Sequence, residues 1–280
     1  MKKILLAGPW VGELGWELFC WQGHIRWLSK KYDKVIVLCR KGHEFLYSDF
    51  TDHFVTFQVA PQLSADMWMC EGIDIDMLVG SVKDQYTEVL LPFNIGVYLD
   101  GTGNITTRPG EAYHRQRFIR YKSDTLDKRY DLIFHPRNKR VGDSRNWDRS
   151  NWQSLVDLLK DQYSIAVIGN NESFQLDGVA DHRNISIEDS VALMNRCRLV
   201  VGQSSGPMHL AALAGAKHLV WSHEKNRARF KTIWNPLTTP CIFYGEKDFN
   251  PAVDDISIQV QFALNAKNSI WSRIYRKLAG

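Results

Sequence analysis

The stretch Leu199-Val200-Val201-Gly202-Gln203-Ser204-Ser205-Gly206-Pro207-Met208-His209-Leu210-Ala211-Ala212-Leu213-Ala214-Gly215 decides the fold class. Leu199–Gly202 is a short apolar run, the pattern of a strand buried in a parallel sheet. Pro207 falls where a helix opens, so its missing N–H costs nothing, and Gly215 stops the helix. The reading is strand, small polar turn, helix. Small turn residues let a ligand approach the backbone. The helix start adds free N–H groups and the positive end of the helix dipole, an arrangement that takes phosphate or diphosphate. An ordinary capped strand–helix junction is the plainer alternative.

The same alternation runs outward on both sides. Strands are expected at Lys3–Ala7, Lys34–Cys39, His53–Gln58 and Thr87–Leu91, with a helix from Leu14 to Lys31. Residues 101–130 are polar, basic and rich in turn chemistry, and the domain junction is placed there. The pattern restarts with strands Asp131–His135, Ser164–Gly169 and Lys217–Trp221. Helices are expected at Asn151–Gln162, capped by Ser150, and at Glu188–Arg196 and Pro207–Ala214. Closing helices are read at Ile256–Leu264 and Asn268–Leu278. The expectation is an α/β chain of two Rossmann-like, doubly wound domains, residues 1–125 and 126–280.

With 280 residues and 44% hydrophobic content, the chain can build such cores and is not disordered. No apolar run reaches the ~18 residues of a membrane helix, and Met1–Ala7 reads as a first strand rather than a signal segment. The cysteines (Cys20, Cys39, Cys70, Cys197, Cys241) are odd in number and form no C-x-x-C, which points to reduced, packed thiols in the cytoplasm. Net charge is +4 but uneven: Arg108–Ser150 holds 12 Lys/Arg against 6 Asp/Glu, and Ile256–Gly280 holds four basic residues and no acid. Fields of this kind suit an anionic partner, although a merely solvated surface fits the tail as well.

Ser204-Ser205-Gly206-Pro207-Met208-His209-Leu210-Ala211-Ala212 resembles the (D/S)-S-G-P-M-H-L-A-A segment of glycosyltransferase family 9, the heptosyltransferase-like enzymes of GT-B fold. His135-Pro136-Arg137, Lys139-Arg140, Arg145-Asn146-Trp147 and Trp152 are similar to the family's H-P-G…K-R-W-P…W pattern, with Asn146 inserted before Trp147. Gly12-Glu13, after the first strand, resembles the family's Gly-Asp pair, with Glu in place of Asp. The resemblance implies two Rossmann-like domains facing a central cleft and an inverting, metal-independent glycosyltransferase with no cofactor beyond its nucleotide-sugar substrate.

On that resemblance Glu13 is the base, with Glu17 as its rival. His135, Lys139, Arg145 and Gln203 through His209 (Ser204, Ser205, Gly206, Pro207, Met208) hold the donor, and Trp10, Gly12 and Trp16 face the acceptor. An Arg fork pairs phosphate oxygens bidentately, and a carboxylate can take the acceptor hydroxyl's proton. The plainer readings are a surface Arg beside packing tryptophans, and a Glu that favours a helix N-terminus. Asp74 and Asp76 form the D-x-D by which metal-dependent transferases of the other major fold hold a cation, so a metal-dependent transferase is one rival. Others are a nucleotide-sugar epimerase or hydrolase of the same fold and a non-catalytic nucleic-acid or carbohydrate-binding protein. The expected partners are the nucleotide-sugar donor and a polyanionic acceptor: a lipid-linked, lipopolysaccharide-type saccharide or a hydroxylated nucleic-acid base. The basic tail, with Lys267, Arg273, Arg276 and Lys277, would help hold it, on DNA or at a membrane surface.

Overall fold

The computed structural model describes residues 2–58, 74–82, 84–92, 97–99, 105–107, 115–139, 143–247 and 249–265. The tail with Lys267, Arg273, Arg276 and Lys277, the expected helix Asn268–Leu278, Arg140 and Cys70 lie outside them. Two compact units divide the chain, Met1–Ile119 and Arg120–Gly280.

Unit 1 is built on four parallel strands, β1 (Ile4–Ala7), β2 (Lys34–Arg40), β3 (Phe54–Phe57) and β4 (Glu88–Leu90), in the order β3-β2-β1-β4. The central pair is in register from Ile4 opposite Lys34 to Ala7 opposite Val37. Leu6, Ile36, Leu38 and Val82 form the core beside it. Each such side chain removed from water contributes about 1.5–3 kcal/mol, an upper figure because the unfolded chain already buries some of this surface. The expected first helix is interrupted: α1 (Leu14–Trp16) runs into a π-helical turn at Glu17–Trp21 and then α2 (Gln22–Ser29). A π-turn inserts a residue into the i→i−4 ladder and turns the following face. Arg26, almost fully buried in α2, is held by Asp49 in two bonds of 2.8 and 2.9 Å and by the Leu46 carbonyl at 2.8 Å. The short helix α3 (Ile75–Gly80), unannounced by its sequence pattern, starts at Asp74. Strands β5 (Val97–Leu99) and β6 (Ile105–Thr107) make a separate antiparallel pair.

Unit 2 holds six parallel strands: β7 (Leu132–His135), β8 (Ile165–Gly169), β9 (Ala180–Arg183), β10 (Leu199–Gln203), β11 (His218–His223) and β12 (Cys241–Glu246). Their order, β12-β11-β10-β7-β8-β9, is the doubly wound arrangement of a dinucleotide-binding sheet. Helices α4 (Arg149–Leu159), α5 (Ile187–Arg196), α6 (Gly206–Ala214) and α7 (Val253–Asn265) follow β7, β9, β10 and β12 in the chain. Helix α4 begins one residue before Ser150, so that residue is no cap and Asp148 takes the N-cap position. Ser186 caps α5 through Asp189 N–H at 2.9 Å. One core layer centres on Trp147, Trp152 and Trp221, whose rings lie 5.1–5.3 Å apart, with Phe134 at 5.4 Å from Trp152.

Candidate functional site

In an open parallel sheet, ligands bind outside the carboxyl ends of the strands where the strand order reverses. In unit 2 that point lies between β7 and β10. Their last residues are His135 and Gln203, so the order of the strands brings two separate sequence motifs together. Gly202 faces Met208 of α6 so closely that an added Cβ would lie 2.8 Å from its sulfur, and this glycine lets the helix settle onto the strand end.

Side-chain amides tie the crossing together. Gln203 is fully buried, donates to the His135 carbonyl at 3.2 Å and accepts from Trp147 N–H at 2.8 Å. Asn146 accepts from Lys139 N–H at 3.1 Å, donates to the Lys139 carbonyl at 2.8 Å and accepts from the buried Arg137 guanidinium. The loop carrying Lys139 and Arg145 is thus fixed to both β7 and β10. The inserted Asn146 is its clasp, a role that spacing alone did not reveal. Arg145 closes a short 3-10 turn, Asp143–Arg145, and is half-buried.

Helix α6 opens at Ser205, its N-cap, in extended backbone. Met208 and His209 N–H groups both reach the Ser205 carbonyl, at 3.2 and 3.4 Å, and Pro207 has no N–H. The Gly206 N–H, at the first helical position, has no acceptor within its own helix. The Ser205 hydroxyl makes no capping bond and instead lies 3.0 Å from His135 Nδ1. Burial, with Lys139 and Arg137 nearby, pushes the His135 pKa down to about 3, so this ring is neutral at physiological pH.

Several side chains expected at the donor are spent inside the protein. Gln203 is internal as described, Met208 is fully buried against Gly202, and Ser204 is buried with its N–H on the Trp221 carbonyl at 3.1 Å. His209 stacks on Phe230 at 4.4 Å and meets the edge of Trp234 at 4.7 Å, and burial holds its pKa far below the ordinary value. The cause is the apolar face of α6, which must pack on the sheet. The half-buried residues of this segment are Ser205, Gly206 and Pro207.

Unit 1 has its own reversal, between β1 and β4. The chain leaves β1 at Gly8, whose φ of +110° and approach to the Leu38 carbonyl (2.3 Å from an added Cβ) admit only glycine. The Gly8–Pro9 bond is cis. Trp10, expected to face the acceptor, is buried: it stacks on Trp21 at 6.1 Å, covers Gly12 and donates to the Glu13 carbonyl at 3.4 Å. Trp16 is buried as well. Arg40, at the end of β2, holds the Gly12 carbonyl at 2.7 Å.

The two carboxylates differ sharply. Glu13 is the N-cap of α1, partly exposed, and its side chain makes no capping bond. Glu17, one turn on, is buried with both oxygens engaged: Tyr47 O–H donates to one at 2.6 Å and His43 Nδ1 lies 2.7 Å from the other. Sequence reasoning missed Arg40, His43 and Tyr47. They lie at the carboxyl end of β2, where only the fold brings them beside the loop after β1. Asp74 accepts from Met77 N–H at 2.8 Å, the geometry of a helix cap. Among the described residues no three His, Cys, Asp or Glu side chains gather as a metal-binding group, and no helix is long and apolar enough to cross a membrane.

This architecture is that of the GT-B glycosyltransferases. The protein is a glycosyltransferase, and residues 104–220 match the model of glycosyltransferase family 9 (heptosyltransferase). A family 9 glycosyltransferase of Veillonella parvula is similar over 94% of this chain and 97% of its own, with a TM-score of 0.63 at 10% identity. The E. coli ADP-heptose lps heptosyltransferase II gives 0.63 at 14% identity, over 95% of this chain and 100% of its own. E. coli heptosyltransferase WaaC with ADP gives 0.55 at 10% identity, over 93% and 99%. No curated protein sequence matches the chain.

Proposed function

We propose that the protein moves a sugar from a nucleoside-diphosphate sugar to a hydroxyl of a saccharide acceptor, inverting the anomeric carbon and using no metal ion. The observation that carries this reading is the junction at the end of β10. A first-turn N–H and the Ser205 hydroxyl stand at a reversal of strand order, and the half-buried Arg145 lies on a loop pinned to the same strand ends. Donors and cations of this kind suit the diphosphate, and Lys139 adds charge.

Glu13 is the base of this reading, because its carboxylate is partly exposed whereas that of Glu17 is saturated. The acceptor oxygen loses its proton to Glu13 and attacks the anomeric carbon. The bond from that carbon to the diphosphate oxygen breaks, and the nucleoside diphosphate leaves with the electron pair, its charge stabilised by Arg145. A single displacement inverts the centre.

A saccharide acceptor is favoured by the likeness to lipopolysaccharide heptosyltransferases. The nucleic-acid alternative rested on the basic tail, outside the described residues. A cytoplasmic place, where nucleotide sugars are made, goes with the donor. Thermal-shift screening of ADP-, UDP-, GDP- and dTDP-sugars tests the donor class, because a ligand bound to the folded state raises its melting temperature. Product NMR with the stabilising donor and a saccharide panel then reads the anomeric configuration. Donor consumption independent of any acceptor would make the protein an epimerase or hydrolase instead.

A further inference from the structure

We propose that His135 is a positioning residue for the transfer: its Nδ1–H donates to the Ser205 hydroxyl and turns that O–H outward onto a phosphate oxygen of the donor. This rests on the nucleotide-sugar reading above and adds to it how one ligand-facing group is oriented.

The Ser205 hydroxyl is unusual for an N-cap. A serine at an N-cap ordinarily accepts from the N–H of the second or third helical residue. Here the second is Pro207, and Met208 N–H is taken by the Ser205 carbonyl at 3.2 Å. The hydroxyl is therefore not needed by its own helix, and it pairs across the strand-order reversal with His135 at 3.0 Å.

Direction then follows from counting hydrogens. Ser205 has one hydroxyl hydrogen and two lone pairs, and a neutral imidazole has one N–H. If Ser205 donates to the ring, it shows a ligand only lone pairs. A diphosphate oxygen accepts and does not donate, so that arrangement repels it. If the ring donates from Nδ1, the Ser205 hydrogen is left for the phosphate. A diphosphate at this site selects the Nδ1–H tautomer.

Two features suit the ring to the task. It is 5% exposed and its pKa lies near 3, so it stays neutral and does not swap its role with pH in the working range. The carbonyl of the same residue accepts from Gln203 at 3.2 Å, which fixes the strand end from which the ring projects.

Calorimetric titration of the full-length protein with ADP, UDP, GDP and dTDP tests this. Ser205→Ala should weaken the best diphosphate about 10–100-fold, the scale of a hydrogen bond to a charged group. His135→Leu should weaken it comparably, and the double variant should be no worse than the weaker single. His135→Asn, whose amide N–H can stand where Nδ1–H stood, should recover most of the affinity, which a purely structural role would not explain. Nitrogen-15 NMR of the diphosphate-bound wild type should show His135 protonated at Nδ1. An Nε2–H tautomer in that complex, full affinity in Ser205→Ala, or additive losses would overturn the proposal. If His135→Leu does not fold, the Ser205→Ala titration and the NMR tautomer still decide. A wild type that binds none of the diphosphates removes the nucleotide-sugar reading itself.

Discussion

The loops leaving β1 and β10 occupy equivalent places, each at a reversal of strand order, and they are finished in opposite ways. Around β10, Gln203, Asn146 and the Ser205–His135 pair tie the strand ends to the loop that carries Arg145, and Lys139 and Arg145 bring positive charge to that loop. Around β1 the internal carboxylate, Glu17, is satisfied twice over, and what is left outward is an acceptor, the Glu13 carboxylate. In the proposed function, one loop would hold an anion and the other would take a proton. Two loops at like places would then serve opposite chemistry, set by which side chains the interior consumes.

The comparison breaks first at the two glutamates. Glu13→Gln is expected to lower turnover by about 10²–10⁴-fold, the usual scale for a lost general base, with nucleoside-diphosphate affinity unchanged. Glu17→Gln is expected to spare turnover in the cold and to cost about 1–3 kcal/mol of stability, since His43 and Tyr47 lose a charged acceptor. Turnover kept by Glu13→Gln and lost by Glu17→Gln would exchange their roles.

Unit 2 should also lose stability in acid. His135, His209 and His218 of unit 2 are all buried with lowered pKa values, about 3 for His135 and about 4 for His218. Their folded values lie below the unfolded one, near 6.5, so the unfolded chain binds protons first. Stability is therefore full above about pH 6.5 and declines as pH falls toward 4, by up to about 1.4 kcal/mol per pH unit for each imidazole. Between pH 7 and pH 5, above the ordinary carboxylate range, denaturant unfolding should show this slope. His218→Asn should flatten it by one imidazole's share, and an unchanged slope would show that the ring is charged when folded.

Arg145 sharpens the anion-binding side. Arg145→Ala should weaken calorimetric binding of the nucleoside diphosphate by about 1.5–3 kcal/mol while leaving the melting temperature in place, because the loop is clasped by Asn146 rather than by Arg145. Unchanged affinity would return Arg145 to the surface.

Much of the scaffold was legible because parallel strands buried on both faces read as unbroken apolar runs: β1, β2, β7, β8 and β10 were all found that way. Strand β9 was not, since Ala180-Asp181-His182-Arg183 sits at a sheet edge, half-exposed, and carries no such signal. The π-turn at Glu17–Trp21 was also invisible, because its residues keep good helix periodicity on either side. In the site, small residues and motif order marked the junction at Ser205–Gly206. Burial adds what they could not: Trp10, Trp16 and Met208, expected beside ligand, are buried, and His209 is buried as a helix-packing histidine would be. His43 and Arg40 are recruited across the sheet, a proximity only tertiary structure creates.

The smallest effect concerns Asp74 and Asp76, the pair that most resembles a cation site. Asp74 accepts from Met77 N–H at 2.8 Å and sits at the N-cap of α3, with Asp76 in the first turn where negative charge favours the helix dipole. Both positions have a local explanation in helix formation. Asp74→Ala should therefore cost about 1 kcal/mol, the usual value of a lost cap, and leave turnover within error. EDTA should likewise leave turnover within about twofold, because Arg145 and the α6 N-terminus neutralise the departing diphosphate in this reading. The two measurements bear on the same point from different sides. A chelation-sensitive rate rescued by magnesium or manganese, together with loss of turnover in Asp74→Ala, would move the diphosphate's countercharge from the loop beside β10 to a cation held in unit 1.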